Sequence, residues 1–373
     1  MLALVAACVV VAWLPDSPLV PIDGGRTHGQ GELGVLFVAL LVAAFVAYLA
    51  GLWVVRHGAA FATVFALACA IQLAPLAAPL LISSDAWTYW SYARLRDPYR
   101  QTPSDDPLSA PHAGAAYLQT TSAYGPAFSL ATKPLTLVHS PDAVAWIFKT
   151  AAALCVLAAT WLVARRRAFA AALVGWNPVV AVHFGGGGHN DAFMIALLAA
   201  ALALSEVGRV QWAGAAWSLG ALVKWVPLVV LPLRALEARA TGRRVGHVGF
   251  ALTTLATLGL ATALWRFHWL HALAPLAHDA TRETSYALPH RTHLSPWLFA
   301  AAYAAAYVWL VRTAYRGRAR SGLALALLLV AIPYLAAWYV LWPLALSARD
   351  HDRTAIAITL ALCAYLLPQR IPV

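Results

Sequence analysis

The sequence predicts an all-α polytopic membrane protein with about 10–11 transmembrane helices and further helices in its outward-facing loops. Hydrophobic residues make up 62% of its 373 positions and charged residues only 11%, against about 25% charged in an ordinary soluble domain. Crossing a bilayer as a helix takes about 20 apolar residues. Runs of that order recur at 34–55, 58–82, 142–164, 247–267, 293–313, 321–346 and 354–368, with shorter ones at 1–14, 168–184 and 191–205. The short alternating strands of a membrane barrel are absent. The chain reads as one integral-membrane domain: N-terminal helices over 1–82, a first large outer loop over 83–141, core helices and a second outer loop (268–292) within 142–346, and a last helix within 347–373.

The first apolar segment, "MLALVAACVVVAWLPDSP", lacks a basic flank, so it is expected to be an uncleaved first helix. Cys8, Cys69, Cys155 and Cys363 lie far apart inside apolar runs and read as small buried hydrophobes. The net charge of +11 does not point to nucleic acid, because the arginines gather in short inter-helix loops. "RRR" (Arg165 to Arg167), "RATGRR" (Arg239 to Arg244) and "RGRAR" (Arg316 to Arg320) mark the cytoplasmic side. Threading from them turns loops 15–33, 83–141, 185–190, 268–292 and 347–353 outward and leaves Glu206 and Glu237 as the cytoplasmic acids. Residues 211–236 lie between two basic clusters. They are either a re-entrant hairpin broken near Lys224 and Pro227 or an ordinary span that violates the charge rule.

The loop at 83–141 is too rich in aromatics for disorder. Positions 86–95 are expected to form an amphipathic helix at the interface. Asp85, after Ser83 and Ser84, has two readings: a helix cap, or a general base whose pKa burial would raise. Arg94, Arg96 and Arg100 suit either a phosphate or anionic headgroups. Asp97 before Pro98, and Asp105 with Asp106, read as turn residues.

The stretch "GGGGHNDAF" (Gly185 to Phe193) sets four glycines, His189, Asn190 and Asp191 between two apolar helices, after an Asn177–Pro178 break. A tight outward turn is expected there, with Asn190 or Asp191 capping the next helix. A cap does not account for all three polar residues, which read together as binding residues. Lys224, one of three lysines, stands in the apolar run "VKWVP", either functional or snorkelling to the interface. Arg291 and His293 sit near the membrane in the second outer loop, and "WYVLWP" places Trp338 and Tyr339 near the outer face.

As an ordered set, Asp85 at a helix end, "DPY", "AYGP", "WNP…GGGGHNDA", "VKWVPL" and "WYVLWP" resemble the GT-C superfamily of integral-membrane glycosyltransferases. Within it the likeness is to actinobacterial polyprenol-phosphate-mannose-dependent mannosyltransferases, over roughly residues 80–345. The resemblance implies inverting transfer of a sugar, mannose by that likeness, from a polyprenyl-phosphate donor to a glycolipid or glycan acceptor. The reaction would take place on the extracytoplasmic face of the plasma membrane, among membrane lipids. It implies Asp85 as catalytic base and Tyr89 and Tyr92 on the acceptor side, with Arg or Lys on the donor phosphate. The expected substrate-binding residues are thus Tyr89, Tyr92, Arg94, Tyr99, Tyr124, His189, Asn190, Asp191, Lys224, Arg291, His293, Trp338 and Tyr339. No cofactor is expected, and no residue spacing marks a metal site. The rival expectation is a transporter or flippase of a sugar- or lipid-linked solute.

Overall fold

At membrane depth a backbone must satisfy its own polar groups, so these leucine-, alanine- and valine-rich runs wind into helices. The computed structural model describes residues 1–21, 29 and 31–372, the side chains of 279 and 280 excepted, and contains only helices and loops among them. In chain order the helices are α1 (Leu2–Trp13), α2 (Gly31–Arg56), α3 (Phe61–Leu73), α4 (Asp85–Arg94), α5 (Pro126–Thr132), α6 (Pro141–Ala164), α7 (Ala168–Gly175), α8 (Pro178–Val180) and α9 (Asp191–Glu206). They continue as α10 (Val210–Val223), α11 (Pro227–Ala240), α12 (His247–Trp265), α13 (Leu273–Thr281), α14 (Leu288–Thr292), α15 (Pro296–Tyr315), α16 (Ser321–Ala331), α17 (Leu341–Asp350) and α18 (Arg353–Leu366).

Four unbroken helices, α2, α6, α12 and α15, are long and apolar enough to cross a bilayer, and α7 with Pro178–Gly186, bent by 45°, makes a fifth. The other apolar runs are shorter helices cut by proline, which removes a backbone donor and clashes with the preceding turn. Pro75 follows α3, Pro178 opens α8, and Pro227 opens α11. The carbonyls and amides freed at these breaks find side chains. Gln72 donates to the Gly175 carbonyl (2.9 Å), and Asn177 Oδ1 accepts from the Val179 and Val180 amides. Buried Lys149 donates to the carbonyls of Leu76, Ala78 and Pro79.

The bundle has two chemically different ends. At one end Asp85, Asp191, Lys224, Trp338 and Trp342 come together. At the other, Glu206 pairs with Arg165 (2.7 Å) and Arg349, Arg234 binds Asp350 (2.6 Å) and Glu237 (3.0 Å), and Arg320 grips Asp352 (2.7 Å). The starts of α10 and α12 meet at this basic end, where Gly214 and Gly246 are in backbone contact, and Glu237 of α11 accepts from the Ala319 amide there. The chain therefore turns back at Lys224, and the outer ends of α10 and α11 lie together at the basic end. α10 packs on α9 and α12, whereas α11 packs on α15 and α16.

Two sequence expectations change. Loop 347–353, read as outward, lies at the basic end with Arg165, Arg167 and Arg320. The cause is the run 321–346, which is two helices rather than one: α16 ends at Ala331, α17 starts at Leu341, and the direction reverses once more. The segment at 86–95 is not an interfacial helix either, because every residue of α4 from Asp85 to Ala93 is buried. Substituted cysteines test this arrangement. In membrane vesicles, His351→Cys and Gly242→Cys should react with an impermeant maleimide from one side, and Gln119→Cys from the other. Labelling of His351→Cys on the side of Gln119→Cys would refute it.

Candidate active site

The four glycines solve a packing problem. After α8, Ala181–Gly186 winds as a buried π-helical turn, not the outward-facing turn expected from the sequence. A Cβ on Gly185 would stand 2.5 Å from the Gln72 carbonyl, and one on Gly186 would stand 2.7 Å from the Leu81 side chain. Gly188 takes φ +70°, a left-handed conformation that favours glycine. The Leu81 amide donates to the Gly186 carbonyl (3.0 Å) and the Ile82 amide to the Leu19 carbonyl (2.7 Å). Ile82 itself is held at φ 64°, a strained conformation for a β-branched residue. These contacts lock the approach to α4 against the glycine turn, and so set Asp85 opposite His189.

Asp85 Oδ2 lies 3.1 Å from His189 Nδ1 and accepts from the Tyr89 hydroxyl at 3.5 Å; that hydroxyl in turn accepts from the Asn190 amide at 3.4 Å. The Asp85 carboxylate is turned toward His189 rather than capping α4, while its amide donates to Ser83 Oγ (3.2 Å). The His189 ring stacks on Trp338 with centroids 3.7 Å apart. Asp191 Oδ1 accepts from Lys224 (2.7 Å) and from Trp342 Nε1 (2.6 Å), and the Lys224 ammonium sits over the rings of Tyr339 and Trp342. His189, Asn190 and Asp191 are fully buried. Asn190 starts α9 without a side-chain cap bond, and both of its side-chain polar atoms, together with His189 Nε2 and Asp191 Oδ2, have no hydrogen-bond partner among the described residues.

Burial pushes the Asp85 pKa up, as the sequence reading expected, but its neighbours outweigh burial. The hydrogen bond and field of His189, the Arg370 guanidinium and Ser83 hold the carboxyl well below its usual range. Asp85 is therefore an ionised carboxylate across the physiological range.

A cavity of 940 Å³ opens over this carboxylate. Its polar part is lined by Asp85, Tyr89, Tyr92, Tyr117, Tyr124, Lys224, Tyr334, Trp338, Tyr339 and Trp342. Its apolar part runs between α13, α15 and the end of α16, past Leu276, Ala300, Leu328 and Ile332, to Trp297, which is 81% exposed. Tyr92 donates to the Thr120 carbonyl (3.0 Å), which fixes its ring at the wall.

Four of the expected binding residues stand elsewhere. Arg94 binds Asp106 (2.7 Å) and the Thr136 carbonyl. The Tyr99 hydroxyl donates to Ser129 (2.9 Å) with its ring against Trp265. Arg291 lies over Tyr286, and exposed His293 ends α14 in a left-handed conformation. The sequence reading in turn passed over Tyr117, Arg282, Tyr334 and Trp342, which line the cavity, and Arg370, whose guanidinium lies over the Trp338 ring. Trp342 had a signal, since it lies one helical turn after Trp338 in "WYVLWP"; Arg370 had none beyond following an apolar run. Among the described residues no group of three or more His, Cys, Asp or Glu converges as a metal site would require.

The profile for the N-terminal domain of alpha-(1->6)-mannopyranosyltransferases matches residues 1–239, and that of glycosyltransferase family 87 matches residues 123–367. The chain belongs to both families. Membership makes it a mannosyl-transferring membrane glycosyltransferase, in keeping with the GT-C likeness. Alpha-(1->6)-mannopyranosyltransferase A of Mycobacterium tuberculosis (strain ATCC 25618 / H37Rv) is 27% identical over 350 residues, covering 80% of this chain and 67% of that protein. No solved structure matches the chain.

In this family 87 enzyme the pair of half-buried Lys224 with buried Asp191 can be tested by breaking it. Removing one charge strands the other, so Asp191→Asn should cost about 3 kcal/mol of stability. The double variant Asp191→Asn/Lys224→Met should recover more than half of that loss in a double-mutant cycle of unfolding in detergent.

Proposed function

We propose that the enzyme transfers mannose, with inversion, from a polyprenyl-phosphate donor to a hydroxyl of a glycan or glycolipid acceptor at the outer face of the plasma membrane. The observation that carries this reading is a single cavity that joins an ionised, buried carboxylate to an apolar wall reaching the surface between α13, α15 and α16. A lipid-linked sugar needs both surfaces at once. The collection of arginines at the opposite end of the bundle supports the outward orientation, since cytoplasmic loops carry the excess of basic residues.

In the reaction the acceptor hydroxyl attacks the anomeric carbon and passes its proton to Asp85. His189 and Tyr89 both engage Oδ2, which leaves Oδ1 to take that proton. As the new glycosidic bond forms, the bond from the anomeric carbon to the phosphate oxygen breaks, and its electron pair leaves on polyprenyl phosphate. His189, stacked on Trp338, holds the carboxylate in place. Tyr89, Tyr92 and Tyr124 wall the acceptor side, and Trp338 and Tyr339 offer faces on which a sugar ring can pack. Cations at the cavity stabilise the charge that develops on the leaving phosphate.

Asp85→Asn keeps the shape of the base but removes its proton affinity. Transfer from polyprenyl-phosphate mannose by purified enzyme should fall by about 10²–10⁴-fold, with little change in thermal stability; transfer at the wild-type rate would reject Asp85 as the base. The pH profile gives a second check. Because the pKa of Asp85 is depressed, wild-type activity should persist as pH falls through the ordinary carboxylate range. His189→Gln removes part of what depresses it, and should move the acidic limb to higher pH.

A further inference from the structure

We infer that the phosphate of the donor is held by Arg282 and Arg370, gathered around Tyr334, and not by Lys224. The inference rests on the lipid-linked-donor reading above and gives its phosphate an address.

Lys224 is a poor phosphate ligand in this setting. Its charge is already matched by Asp191 at 2.7 Å, and its ammonium is enclosed by the rings of Tyr339 and Trp342. Arg282 and Arg370 are differently placed. Among the described residues neither guanidinium has a carboxylate within ion-pair distance, and both are exposed. Arg370 donates to the Tyr334 hydroxyl at 3.5 Å, and the Arg282 guanidinium lies 5.9 Å from the centre of the same ring. The Tyr334 hydroxyl is 3.1 Å from that of Tyr117, which adds hydroxyl groups to the two forks. Planar guanidiniums offer paired donors matched to phosphate oxygens.

The position also suits the reaction. Arg370 lies 4.7 Å from the centre of the Trp338 ring on which His189 stacks, and His189 is bonded to Asp85. A phosphate at Tyr334 is thus linked to the base through Trp338 and His189. Leu328, Ala331 and Ile332, just before Tyr334 in the chain, line the apolar part of the cavity. An amphiphile with its phosphate between the two arginines would send its hydrocarbon along that wall toward exposed Trp297.

The test is binding without turnover, followed by tryptophan fluorescence of the purified enzyme in nanodiscs. The probes are farnesyl phosphate, farnesol, inorganic phosphate and added phosphatidylglycerol. Wild type should bind farnesyl phosphate at least about tenfold more tightly than farnesol. Arg282→Gln and Arg370→Gln should each lose about tenfold for farnesyl phosphate, with farnesol binding and melting temperature unchanged, and the double variant should no longer distinguish the two. The charge-balanced double variant Asp191→Asn/Lys224→Met, which strands neither partner, should keep the discrimination within about threefold. The assignment is overturned if both arginine variants bind farnesyl phosphate as wild type does, or if Asp191→Asn/Lys224→Met abolishes the preference with an unchanged melting temperature. It is likewise overturned if phosphatidylglycerol or inorganic phosphate displaces farnesyl phosphate at equal concentration, which would mark a general anion site. A wild-type enzyme that transfers mannose yet shows no preference for farnesyl phosphate over farnesol would instead overturn the lipid-linked-donor reading itself.

Discussion

Two carboxylates buried in a membrane scaffold govern the rest of this structure. Asp85 and Asp191 are almost wholly removed from solvent, and a buried charge is tolerated only when partners reach it with good geometry. Those partners come from remote parts of the chain. His189 lies 104 residues from Asp85, and Trp342 lies 151 residues from Asp191. Each pairing requires that two or more helices already sit in register. The glycine turn follows from the same demand, because only residues without side chains let Gly185 and Gly186 approach α3 and Leu81 closely enough to bring His189 under Asp85.

The division of charge between the two ends of the bundle gives the molecule its direction. At the basic end the arginines answer acids from neighbouring helices, and further arginines there, such as Arg166 and Arg243, are exposed. At the other end Lys224, Arg282 and Arg370 are set among tyrosines and tryptophans. The cavity grades along its length from polar and aromatic side chains around Asp85 to an apolar wall at Leu328 and Ile332.

Much of the site could be read from the sequence because polar residues in apolar surroundings are conspicuous. Asp85, the His189–Asp191 cluster and Lys224 stand out for that reason, and the structure brings them together. Arg94 was misread because an arginine at a helix end looks the same whether its guanidinium is free or, as here, bound to an aspartate 12 residues on. Arg282 and Arg370 carried no local signal, since their meaning lies in Tyr334, a residue from another part of the chain. The helical class was plain from composition, yet the path was not: the apolar run at 321–346 hides a reversal, and with it the true side of Asp350 and Asp352.

The bonds of α9 have a mechanical consequence. Its first residue, Asp191, is fastened to Trp342 of α17, and its last, Glu206, to Arg349 of the same helix. Two rods bolted at both ends cannot slide along one another, so shear between α9 and α17 is blocked. The floor that carries the chemistry is therefore a braced frame. The opposite wall of the cavity is built by α13 and α15, and among the described residues no side-chain hydrogen bond or ion pair ties either to α9 or α17.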